Sequence, residues 1–167
     1  MKKISFSIFP LILLTVLSTL FTSCFGIAKM HARKEFTEEL HAIPPHFGEK
    51  GTVLIAILRN RSSYDNYVKK AAKLYNGEVI LLKNSAELTT LYSDKTKYRF
   101  LFDYTAGSTS SVHYAGSNLN SSVTYKRFYV SDRLENEMYQ CGYESGSFGD
   151  LLKAYFENLE KKRLSMQ

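Results

Sequence analysis

The residues with the right types for chemistry are two cysteines, four histidines, a pair of arginines and one strand carboxylate, and spacing decides among them. Cys24 and Cys141 lie too far apart for a CxxC redox motif or a zinc pattern. Cys141 ends the strand-like run Glu137-Met138-Tyr139-Gln140-Cys141 and reads as a buried, inert thiol. A catalytic thiol needs a histidine or a cationic field beside it, and nothing in the spacing supplies one. His31, His41 and His46 do not share a helix face, and Pro44-Pro45 separates the last two, so no metal site is expected.

Arg59 and Arg61 follow the apolar run Thr52–Leu58 and precede a helical pattern. That puts them at the carboxyl end of a strand, where α/β sheets bind ligands. Arginines beside the free amides of a helix start suit an anion, although ordinary solvated loop arginines fit the same residues. The linker has no glycine-rich loop, so a dinucleotide or P-loop phosphate cradle is not indicated. Asp103 ends an alternating strand, and no second acid is spaced to form a catalytic pair with it. His113 and Tyr114 sit inside Thr105–Ser122, a polar, nearly uncharged stretch rich in Gly, Ser, Thr and Asn. It reads as a long loop, either a flexible hairpin tip or an adaptable recognition surface. A longer hairpin, with Val112-His113-Tyr114 extending a strand, is the alternative. Neither a G-x-S-x-G elbow nor a zinc-protease helix is present. No residue is assigned as catalytic, no cofactor is implied, and the ligand-contacting candidates are Arg59, Arg61, His113 and Tyr114.

These residues must be positioned by the elements around them. Thr52–Leu58 is continuous and β-branched, as in a strand buried on both faces. Tyr64, Tyr67, Val68, Ala71, Ala72 and Tyr75 recur at helical spacing, and Asn76-Gly77 stops the helix before a strand at Glu78–Leu82. Ser85 opens a shorter helix with Leu88, Leu91 and Tyr92 on its inner face. Tyr98–Tyr104 alternates with period two, and Val123–Ser131 and Glu137–Tyr143 form an antiparallel pair. Phe148, Leu151, Leu152, Tyr155, Phe156 and Leu159 make one stripe on a closing helix. The order β-α-β-α-β-β-β-α predicts an α/β domain over residues 51–164. It consists of a single mixed sheet of about five strands packed by three helices, parallel in its first half and antiparallel in its second. Residues 24–50 are expected to form a tether, with a short helix over Arg33–His41 presenting Phe36 and Leu40.

The first two dozen residues set the compartment. Lys2 and Lys3 precede an uncharged, mostly apolar run from Ile4 to Phe21, and Pro10 leaves Leu11–Phe21 as the hydrophobic centre of a signal segment at residues 1–23. Leu20-Phe21-Thr22-Ser23-Cys24 resembles the lipobox of bacterial lipoproteins, with Phe21 where leucine is commonest. The resemblance covers this segment alone. It implies that Cys24 is lipidated and becomes the mature N terminus, on the cell membrane or outer membrane, with the domain on the periplasmic or external side. An uncleaved signal anchor would display the same external domain.

The chain carries a net charge of +6, lowered by two if Lys2 and Lys3 leave with the leader. That excess is spread along the sequence and does not point to a nucleic-acid partner. The expected function is a membrane-tethered, non-enzymatic accessory or binding lipoprotein of the cell envelope, with an envelope protein as a partner. A periplasmic hydrolase built on Asp103, His113 or the Arg59/Arg61 loop is the alternative.

Overall fold

The computed structural model describes residues 27–113 and 120–167. Helix α1 occupies residues 27–35. It is followed by β1 (Leu54–Ile57), α2 (Ser62–Ala72), β2 (Val79–Leu82), α3 (Glu87–Thr90), β3 (Phe100–His113), β4 (Asn120–Asp132), β5 (Glu137–Tyr139) and α4 (Phe148–Ser165). The strands form one five-stranded sheet in the order β2-β1-β3-β4-β5. β1 is parallel to both β2 and β3, whereas β3–β4 and β4–β5 are antiparallel. The α/β class and the mixed sheet predicted from the sequence are both observed.

Topology follows from the connections. The chain leaves β1 through α2 to reach β2 on one side, then crosses back through α3 to β3 on the other. Right-handed crossovers require those two connections to cover opposite faces. Leu54, Ala56 and Leu58 of the β1 segment join Phe100, Phe102, Phe128 and the apolar stripe of α4 in the main core. Ile55, pointing the other way, is also fully buried. A strand covered on both faces explains why Thr52–Leu58 is apolar without interruption.

α1, α2 and α4 share the main-core face and run in the same direction. Along α2 and α4, Tyr67 meets Phe148 near the first turns, while Asn76 and Tyr75 reach Glu160 and Arg163 near the last. Along α1 and α4, Lys29 and Arg33 bind Glu157, the Arg33 and Phe36 carbonyls accept from Asn158, and Glu38 binds Lys162. Their N termini therefore lie at the end of the sheet where β1, β2 and the paired part of β3 finish.

Glu160 ties α2 to α4. It accepts from the Asn76 amide and side chain at 3.0 Å each and from the Arg163 guanidinium at 2.7 and 2.9 Å. Arg163 above all, then the Asn76 donors, hold its carboxyl at about 2 against an ordinary 4.5. A depressed folded pKa gives stability that is complete above the unfolded value and lost as pH falls through the folded one. Acid unfolding is thus expected to draw on Glu160 between pH 4.5 and about 2. Glu160→Gln should lower neutral stability by about 1–2 kcal/mol and flatten that part of the profile, as read by urea midpoints across pH.

Two boundaries differ from the sequence expectation. Residues 27–50 are not a tether: Ala32, Phe36, Ala42, Ile43 and Phe47 are buried in the main core. The Phe36 ring packs against Phe128, Tyr143 and Tyr155, and the Phe47 ring against Phe100 and Tyr75. The Tyr155 hydroxyl donates to the Ala42 carbonyl. The helix ends at residue 35 and does not reach His41, which takes a left-handed φ of 58°, and Leu40 is exposed. Ala28, Ala32 and Phe36 mark its buried face. Two alanines gave that face too little apolar signal to place the helix.

The second difference lies in the stretch 105–122, where residues 105–113 and 120–122 are strand, as in the alternative of a longer hairpin. β3 continues to His113 and β4 starts at Asn120, paired as far as His113↔Asn120 with a register shift between Ala106 and Thr109. Residues 114–119, including Tyr114, lie outside the described residues, as do the signal segment and Cys24. Smaller corrections follow. Leu91, expected on the inner face of the shorter helix, is exposed; the N-caps of α2 and α4 are Arg61 and Ser147, neither with a side-chain capping bond.

Candidate functional site

β1 and β3 are neighbours whose outgoing connections diverge, which makes their carboxyl ends a topological switch point, the usual ligand crevice of an α/β sheet. The sequence places Arg59, Asn60 and Arg61 there. Asn60 adopts a left-handed φ of 57°, a conformation asparagine tolerates, and this turn lets the chain reverse from β1 into α2. The Arg59 amide then donates to Asp65 Oδ1 at 3.0 Å, so a first-turn carboxylate serves where a capping side chain is absent. Asp65 is buried on the underside of that turn.

The Arg59 guanidinium grips Asp103 through two parallel bonds, Nε to Oδ1 at 2.8 Å and an NH2 donor to Oδ2 at 2.7 Å. Such a fork fixes both groups in orientation as well as in charge. The Tyr129 hydroxyl donates to Asp103 Oδ2 at 3.1 Å, and the Arg59 guanidinium lies over the Tyr104 ring at 5.2 Å. Hydrogen bonding to Asp103 raises Arg59, while burial raises Tyr104 and Tyr129, with the Asp103 charge adding to Tyr129. Asp103, considered from the sequence as a catalytic carboxylate, is therefore engaged by two donors of Arg59 from the β1 turn, by the Tyr129 hydroxyl of β4 and by the Tyr104 amide of its own strand. Its geometry is that of a brace between the β1 turn and the hairpin.

Arg59 is held by Asp103 while 42 % of its side chain stays exposed, and Arg61 and Lys83 beside it are exposed as well. They border a cleft of about 400 Å³ whose lining also includes Asn60, Ser85 and Asp103. A second cleft, of about 580 Å³, opens beside it between the first turns of α2 and α4, lined by Ser63, Tyr64, Tyr67, Ser147, Phe148 and Lys153. Close packing there needs Gly149, because a Cβ would meet the Tyr67 ring at 2.6 Å.

From the same end rises the outer part of the β3–β4 hairpin. β1 stops at Ile57, and β5 pairs only with Val130–Asp132, so residues 105–113 and 120–126 have no third strand beside them. Thr105, Ala106, Ser108 to Ser111 and Ser121 to Thr124 are exposed on both faces. Eight residue steps from Thr105 to His113 carry this ribbon roughly 25 Å beyond the sheet. Its base is latched at the register shift. Glu144 accepts from the Ser108 amide at 2.9 Å, from the Ser108 hydroxyl and from Arg127 Nε. The Ser108 bonds lead in holding the Glu144 carboxyl below its usual range. Gly107 leaves the room that the latch needs, since any Cβ there would strike the Glu144 carboxylate.

The structure thus brings Arg59 and Arg61 together and sends His113 far along the ribbon, ten positions beyond Asp103. Lys83, Tyr129 and Glu144 were not singled out from the sequence. Lys83 is readable as the first polar residue after a parallel strand, whereas nothing in the order of residues couples Glu144 to Ser108. Cys141 is free and buried, and burial pushes its thiol up. Among the histidines, the His41 ring packs tilted against Tyr139 with centroids 4.6 Å apart, and His46 Nδ1 lies 2.8 Å from Glu49. Among the described residues no group of three or more His, Cys, Asp or Glu side chains is arranged to hold a metal. No known protein family, curated protein or solved structure matches this chain.

Proposed function

We propose that this protein is a lipoprotein of the bacterial cell envelope, held to the membrane through Cys24, and that it works by binding an envelope partner rather than by catalysis. The observation that carries this reading is the segment Leu20-Phe21-Thr22-Ser23-Cys24 behind Lys2, Lys3 and an apolar run. Two features of the fold support a binding role. The polar side chains at the switch point brace each other, as Arg59, Asp103 and Tyr129 do. Among the described residues, the projecting element is a Ser/Thr-rich ribbon with unpaired edges, whose backbone groups are open to contacts outside the domain.

Labelled palmitate and mass spectrometry of the mature N terminus test the anchor. The expected result is a lipidated Cys24 at the N terminus, and a Cys24→Ala chain that takes up no label and keeps its leader. A native chain that begins at Met1, unlabelled, would replace the lipoprotein by a signal anchor.

A further inference from the structure

The position of the anchor fixes which part of the domain meets the bilayer. Residue 27 is already in α1, and α1 is bound to α4 through Lys29, Arg33 and Asn158. From Cys24 to Ile27 the chain spans at most about 11 Å, whatever its conformation. The N-terminal end of α1 is also the end from which the β3–β4 ribbon rises and at which the Arg61–Lys83 cleft opens. With so short a connection, this end cannot turn away from the membrane.

Arg61 and Lys83 are exposed at this end, and Lys126, at the base of the ribbon, lies 6.0 Å over the Tyr64 ring. The opposite end of the sheet is mixed in charge: Lys50, Lys95 and Lys97 are exposed there, and Glu49 and Glu135 pair with Arg99. Ile27 and Met30 of α1 are about half exposed beside the anchor. A ribbon of roughly 25 Å with free backbone edges cannot enter hydrocarbon, where every unpaired amide and carbonyl is penalised. It can lie along the polar headgroup layer, which satisfies both edges.

We propose that this end of the sheet is a membrane-contact surface, with Arg61, Lys83 and Lys126 against the phosphates of anionic lipids and the β3–β4 ribbon laid along the headgroups. The proposal rests on the membrane tether put forward above and holds equally for a lipidated Cys24 or a retained signal anchor.

Full-length protein is reconstituted in vesicles of phosphatidylglycerol and phosphatidylcholine. A fluorophore is attached at Ser111→Cys on the ribbon or at Thr96→Cys at the opposite end, in a Cys141→Ala background. A lipid bearing a nitroxide on its headgroup should quench the Ser111 label at least threefold more than the Thr96 label. Arg61→Glu with Lys83→Glu should halve the Ser111 quenching or more, whereas Lys95→Glu should leave it unchanged. Equal quenching at the two ends, or stronger quenching at Thr96, overturns the contact surface while leaving the tether standing. A native chain recovered wholly in the soluble fraction of the cell overturns the tether and the contact surface together.

Discussion

Replacing Phe36 by alanine should destabilise the protein by about 3–5 kcal/mol, the range for removing a buried aromatic ring from a core that closes only partly around the gap. Phe36 is 1 % exposed, and its ring lies 5.0 Å from Tyr155, 5.7 Å from Phe128 and 5.7 Å from Tyr143. These partners come from α4, β4 and the segment after β5, so no single element can move to fill the space. For a domain of this size the thermal midpoint should fall by roughly 10–20 °C. Calorimetry provides the check. A substitution in a solvated tether changes stability by no more than about 0.5 kcal/mol, so an unchanged midpoint would detach residues 27–50 from the domain.

The second large effect is expected at Arg99. This side chain is buried at the start of β3, and its Nε donates to both oxygens of Asp132, at 3.0 and 2.9 Å. Its remaining donors reach Glu49 at 2.8 Å and Glu135 at 3.0 Å. Asp132 is 1 % exposed and also accepts from the amides of Leu134 and Glu135 in the β4–β5 turn. Arg99→Ala would strand that carboxylate without its cation, at a cost of about 3–5 kcal/mol. Arg99→Lys should recover only part of this, because one ammonium cannot reproduce a fork shared among three carboxylates. Asp132→Asn combined with Arg99→Met should be milder than Arg99→Ala alone, since the amide oxygen still receives the turn and no buried charge remains. Urea unfolding of the three variants gives the order, and equal losses in all of them would show that the carboxylate is not the source.

How much of this was legible in the sequence depended on whether an element carried its own period. β1 and β2 announced themselves as short uninterrupted apolar runs, and α2 and α4 because their apolar residues recur about every 3.6 positions. Arg59 and Arg61 were found for a related reason, since a strand followed by a helix has a predictable carboxyl end. α1 was misplaced because its buried face is Ala28, Ala32 and Phe36, and alanine scarcely distinguishes a core face from a surface one. The turns from Phe36 to Phe47 bury Ala42, Ile43 and Phe47 at irregular intervals that follow the shape of the sheet and not a repeat. The ribbon was hidden for the opposite reason. It is exposed on both faces, so neither face selects apolar residues, and Ser and Thr in such a strand resemble a loop. Arg99 and Asp103 alternate with aromatics along the strand, and each is buried by a partner distant in sequence. Partners of that kind cannot be read from spacing.

The contacts of α1 also bear on when the protein can fold. Arg33, Phe36 and Ala42 depend on Tyr155 and Asn158, separated from them by more than a hundred residues. The chain cannot close its core until its last helix is present, and contacts of such long sequence separation form late. A polypeptide emerging N terminus first would remain open through nearly the whole of its synthesis. Under the export proposed above, that delay would be a means of staying unfolded long enough to pass through a membrane.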